Sequence, residues 1–211
     1  MPARAKAATP RNAYHHGHLR EALIEAAVGI IEEQGVEQLS VREAAKRAGV
    51  SPGAPFRHFA NRTALLTAVA EQAAERLRQA VQQALANASG QPPLARFAAI
   101  GHAYLAWAAA HPTHFRVISD RQLIDYDNSA SMQAGNEAIR EQMASLLQQA
   151  LGLDADAERI AQTLLAARAL VYGLARMAAD GHFPEWNTQS GSDRQAITDT
   201  LDHFIAQIAR P

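Results

Sequence analysis

The chain contains no cysteine among its 211 residues, which removes a disulfide framework and any zinc or iron–sulfur site built on thiolates. It also lacks a long apolar run. The longest, Phe97 to Ala110, includes His102 and falls short of the roughly 20 residues a membrane span needs. The amino terminus carries basic residues with no apolar segment behind them, so it does not read as a signal peptide. A soluble cytoplasmic protein is expected. No strand pattern occurs, no Gly-rich phosphate loop, and no local motif that would supply a serine with a base and an orienting carboxylate. Asp125 and Asp127 fall in a polar loop without a histidine at matching spacing. Neither enzymatic activity, nor a cofactor, nor a metal site is expected.

What the chain does have is apolar content and an uneven charge. Hydrophobic residues make up 48% of it, enough for one large domain or two small ones, with two favoured. The net charge of -1 argues against a nucleic-acid partner until its distribution is considered. Up to Arg62 there are nine Lys and Arg against six Glu, and beyond it eleven Lys and Arg against fifteen Asp and Glu. The basic end coincides with the most informative motif.

That motif runs from Leu39 to Phe59. Ser40 followed by Glu43 is a capping box, so a helix should start at Val41, and Gly49 supplies the left-handed residue that ends it. Ser51 is then expected to cap a second helix with Pro52 at its first position. Two short helices joined by a glycine turn form a helix-turn-helix, a shape that lays its second helix in the major groove of double-stranded DNA. Gly53, Ala54, Arg57 and His58 would then face base edges and phosphates. The alternative is an αα-hairpin inside a bundle.

Val41-Arg42-Glu43-Ala44-Ala45, Ala48-Gly49-Val50-Ser51, Phe56-Arg57-His58-Phe59 and Asn61-Arg62 resemble the DNA-binding signature of the tetracycline-repressor-like (TetR) family. The resemblance covers about the first third of the chain and implies an all-α regulator with a helical ligand-binding and dimerisation domain behind its DNA-binding head. It implies DNA contacts at Ser40, Arg42, Ser51, Gly53, Ala54, Pro55, Phe56, Arg57, His58 and Arg62, and a DNA-edge role for Tyr14, His15 and His16. Three departures stand out. Phe56 takes the place of the family's phosphate-binding tyrosine, losing the hydroxyl while keeping an expected packing role. Pro55 falls within the first turns of the recognition helix, which should be short and irregular at its start. Arg62 replaces a lysine, retaining a charge for a phosphate.

The rest of the chain reads as helices. Residues 1–17 form an expected flexible basic arm and 18–62 the DNA-binding head. Residues 63–211 form the ligand-binding and dimerisation domain. Leu19 to Ile31 carries helical spacing closed by Gly35, and Asn61 caps a long helix from Arg62 to about Ala86. Ser89-Gly90-Gln91-Pro92-Pro93 breaks it. Helices follow from Leu94, from Met132, from a cap at Asp154 to Gly181, and from a second capping box at Ser192 and Gln195.

A small-molecule effector is expected among His102, Tyr104, Trp107, Phe115, Tyr172 and Met177, which mix apolar bulk with polar tips; the alternative for each is plain core. Ile160, Leu164 and Val171 on one helix and Ile197, Leu201, Phe204 and Ile208 on the last form stripes suited to a homodimer interface, or to the core of one chain. The resulting expectation is a homodimeric repressor released from a palindromic operator by its effector. Its alternatives are a constitutive DNA-binding regulator without ligand response, or a helical enzyme or scaffold.

Overall fold

A computed structural model describes residues 18–152, 156–186 and 192–208. Tyr14, His15, His16 and the expected cap Asp154 lie outside the described residues. Within them the fold is all-α, with eight α-helices and no strand. The chain divides into two compact units between Ala68 and Val69, six residues beyond the expected boundary.

The amino-terminal unit holds α1 (Leu19–Gln34), α2 (Val41–Arg47) and the first residues of α3 (Arg62–Asn87). α2 begins where Ser40 Oγ accepts the amide of Glu43 at 3.1 Å. It ends in a Schellman turn, with the Val50 amide donating to Ala45 O and the Gly49 amide to Lys46 O, at a φ of 70° that glycine adopts without penalty. α3 begins at the expected cap, where Asn61 Oδ1 accepts the Ala64 amide at 2.8 Å. Leu23, Ala27 and Ile31 of α1 join Ala44 of α2, Phe59 and Leu66 in a buried core. Each large apolar side chain removed from water here contributes about 1.5–3 kcal/mol. Arg47 forks onto Glu33 with two bonds of 2.6 Å, tying α2 to α1 and holding the Glu33 carboxyl below its ordinary pKa.

The carboxy-terminal unit contains the remainder of α3 with α4 (Pro93–Ala110), α5 (Pro112–Ser119), α6 (Ala130–Leu151), α7 (Ala157–Asp180) and α8 (Asp193–Ile208). α4 is central and packs on α6, α7 and α8. α7 is capped by Asp156, whose Oδ1 accepts the Glu158 amide, two residues later than expected. It closes at Gly181 with the same Schellman pattern as α2. Ser192 caps α8 through the Gln195 amide at 3.3 Å. Gly101 on α4 permits a close approach: a Cβ there would stand 3.0 Å from Leu201 Cδ2 of α8.

Candidate functional site

The segment after α2 departs from expectation. The chain forms no α-helix from Pro52; it makes a turn through Ser51-Pro52-Gly53 and then a short 3-10 helix, Ala54–Arg57. Two prolines three residues apart explain this, because Pro55 lacks an amide to donate and disfavours the α conformation at Ala54. The Ala54 amide donates to Ser51 O, and the amides of His58 and Phe59 both converge on Pro55 O at 2.9 Å. The outcome is a compact knuckle.

Pro55 and Phe59 are the buried side of that knuckle, while Ser51, Pro52, Gly53, Phe56, Arg57 and His58 are exposed, with Ala54 half-buried. Phe56 is 46% exposed, so its expected packing role passes to Phe59, which is 2% exposed. On α2, Arg42 is exposed and Ser40, at its cap, half-buried. Neither Arg42 nor Arg57 has an ion-pair partner among the described residues.

Arg62 is placed otherwise than a phosphate ligand would be. Its Nε donates to Leu39 O at 3.0 Å and its Nη2 to Val36 O at 2.8 Å. The planar fork spans two carbonyls of the segment leading into α2, which a lysine could not do. This guanidinium positions the head of the unit.

The carboxy-terminal unit contains a cavity of about 590 Å³, within the range of small-molecule pockets. Its walls come from α3 (Leu77, Val81), α4 (Phe97, Ile100, Tyr104), α6 (Ile139, Met143), α7 and α8. Of the six expected ligand residues, Tyr104 alone lines it. Its hydroxyl is held above its ordinary pKa by burial, partly offset by Arg168.

The other five lie outside its lining. His102 faces outward to Asp202 Oδ1 at 2.8 Å. Trp107 and Phe115 are buried core, and Phe115 meets the rings of Tyr104 and Tyr172 at 6.3 Å. Tyr172 is partly exposed, its hydroxyl 3.5 Å from Ser119 O, and Met177 packs at the edge of the core.

The expected interface residues lie wholly or partly against the core of their own chain. Ile160, Val171, Leu201 and Ile208 are buried within the single chain, and Leu164, Ile197 and Phe204 are half-buried against the same core. Ile160, Leu164, Val171 and Leu201 line the cavity. An amphipathic stripe shows that a face is covered but not by what, and here the covering is α4. Sequence reasoning also misses Arg121, Arg140 and Arg168 at the cavity, because an arginine in a polar turn, as Arg121 is, or on the polar face of a helix, as Arg140 and Arg168 are, reads as solvated surface.

Residues 23–69 match the family described as bacterial regulatory proteins, tetR family. Residues 97–203 match the tetracyclin repressor-like C-terminal domain. The chain is 40% identical over 81 residues to the HTH-type transcriptional regulator BetI of Yersinia pestis (strain Pestoides F), a match spanning 38% of this chain and 41% of that protein. A solved protein of unknown function from Rhodococcus sp. RHA1 shares 29% identity at a TM-score of 0.76, covering 95% of this chain and all of the other. A bacterial regulatory protein in the tetR family from Rhodococcus RHA1 shares the fold at 18% identity, with a TM-score of 0.69 and coverage of 91% and 97%. The class these features define is the helix-turn-helix transcription regulator. The chain belongs to the TetR family.

Proposed function

We propose that this chain is a cytoplasmic, homodimeric, DNA-binding repressor released from a palindromic operator by a small-molecule effector. The observation that carries the reading is the knuckle after α2, where Gly53, Phe56, Arg57 and His58 are all exposed while Pro55 and Phe59 anchor it. Arg42 and Arg57 supply phosphate contacts, and Gly53 and Ala54 allow backbone to come close to the duplex. Phe56 lays an exposed apolar ring along the sugar-phosphate backbone, without a hydroxyl to donate to a phosphate. Ser40 and Ser51 serve the turn geometry and add hydroxyls at the DNA edge, where Tyr14, His15 and His16 would also lie. Arg62 acts indirectly by fixing this head.

A second copy is required because one knuckle reads too few base pairs to define a site. The surface for it is the stripe of α7 on which Ala169 and Tyr172 are exposed, continued by Leu165, which is 71% exposed and also stands at the mouth of the cavity. Gly173 lies beside them, and a Cβ placed on it would meet nothing within 4 Å, leaving room for a partner helix. The cavity supplies the effector site. Leu77 and Val81 belong to both its wall and α3, the helix that begins at Arg62, so a ligand preferring one α3 position would bias the head.

The test is selection of bound sequences from a random duplex pool. A pair of inverted half-sites separated by about one helical turn is expected; an unselected pool, or a single unpaired motif, would refute the dimeric operator.

A further inference from the structure

The cavity is not electrically neutral. Its lining includes Arg121, Arg140 and Arg168 but no aspartate, glutamate or histidine. This is not a general property of the unit, since a smaller cavity of about 320 Å³ beside it is lined by Glu71 and Glu75 as well as Arg78. The three arginines differ in commitment. Arg140 is already paired with Glu137. Arg121 stacks on the Tyr126 ring at 3.1 Å and Arg168 lies over the Tyr104 ring at 5.1 Å. Neither of these two has a carboxylate partner among the described residues.

Burial orders the lining from inside to outside. Phe97, Ile100, Val171 and Leu201 are at most 7% exposed, whereas the three arginines are exposed. The cavity therefore has an apolar floor and a cationic rim. A guanidinium at such a rim presents a planar fork matched to paired oxygens, and the floor rejects charge because a buried ion without a partner is costly.

Resting on the reading of this cavity as the effector site, we propose that its ligand is an amphipathic organic anion, an apolar body on the floor with a carboxylate or phosphate head held at the rim by Arg168 and Arg121. Neutral compounds of the same shape lose the head contacts. Cationic ones meet like charge.

The test is calorimetric titration of the full-length protein with decanoate, decyl phosphate, 1-decanol and decylamine, each below its aggregation limit. At least one anion should bind about tenfold or more tightly than decanol, with decylamine the weakest, as expected for charge-assisted bonds. The stronger of decanoate and decyl phosphate identifies the head. Arg168→Gln, a change on an exposed residue, should weaken the anion by about tenfold and leave decanol unaltered, with Arg168→Lys in between. Decanol binding as well as both anions, equal losses for decanol and anion in Arg168→Gln, or no binding by any of the four would overturn the proposal. Operator affinity is measured separately. An anion that fills the cavity without changing it upholds the ligand class and removes the regulatory reading, and a neutral ligand that releases the operator does the opposite.

Discussion

Removing Arg62 separates a phosphate contact from a structural tie. In the folded chain its Nε and Nη2 hold Leu39 O and Val36 O at 3.0 and 2.8 Å. Hydrogen bonds from a charged donor contribute about 1.5–3 kcal/mol each. The site is only half-buried, so water replaces part of that loss, and Arg62→Ala should cost the amino-terminal unit about 2 kcal/mol in all. For a unit of this size the melting midpoint should fall by about 8–16 °C. Arg62→Lys retains the charge but reaches one carbonyl at a time, so it should recover less than half of the difference. Operator affinity should drop because the head is less often formed, yet the slope of log affinity against log salt should stay unchanged. A phosphate ligand behaves in the opposite way, flattening the slope by about 0.9 with little thermal effect. Calorimetric melting together with binding titrations at several salt concentrations distinguishes the two. A flattened slope with an unshifted midpoint would refute the structural assignment.

Three further outcomes follow. Leu165→Glu, on the exposed stripe of α7, should give a folded monomer with weak operator binding by sedimentation and circular dichroism, whereas Leu201→Glu buries a charge at a 1% exposed position and should unfold the unit at a cost above about 3 kcal/mol; a folded Leu201→Glu monomer would reverse the assignment. Phe56→Tyr should restore a hydroxyl toward phosphate and tighten operator and random duplex alike by roughly three- to tenfold, and a gain confined to the operator would contradict this. His114, buried between Gln72 at 3.2 Å and Arg76 at 3.4 Å, has its pKa lowered to about 4 by burial and then by Arg76 and His111. The unfolded chain therefore takes up the proton first, and stability present above about pH 6.5 declines by about 3 kcal/mol as pH falls toward 4. Urea melts of wild type and His114→Asn across that range should diverge in slope, and parallel curves would discount His114.

The helix boundaries are legible in the sequence because their causes are local. Ser40, Asn61 and Ser192 act within three residues, and Gly49 and Gly181 within five. The knuckle is not legible in the same way, because Ser51-Pro52 is a strong helix start and the weight of the second proline against it depends on geometry that spacing alone does not carry. Tyr104 is a cavity residue as expected, but Trp107 and Phe115, with the same composition signal, are core. Which side of an amphipathic helix its own chain covers is a tertiary fact. Ile160 and Leu165 lie five residues apart on α7, and one is 8% exposed and the other 71%.

The cavity wall and the structural core share residues, and this shapes how such a receptor can change over generations. Ile160, Val171 and Leu201 bound the cavity and also hold α7 and α8 against α4. Replacing them to fit a differently shaped molecule draws on a folding margin of only about 5–15 kcal/mol, in which a truncated core side chain takes about 2–5. The rim carries no such burden. Arg121, Arg140, Arg168 and Asn136 are exposed and can be exchanged at little structural cost. On the proposed reading of the cavity, descendants of this protein should therefore diversify first in the head group they accept, and only later, with compensating changes elsewhere, in the body.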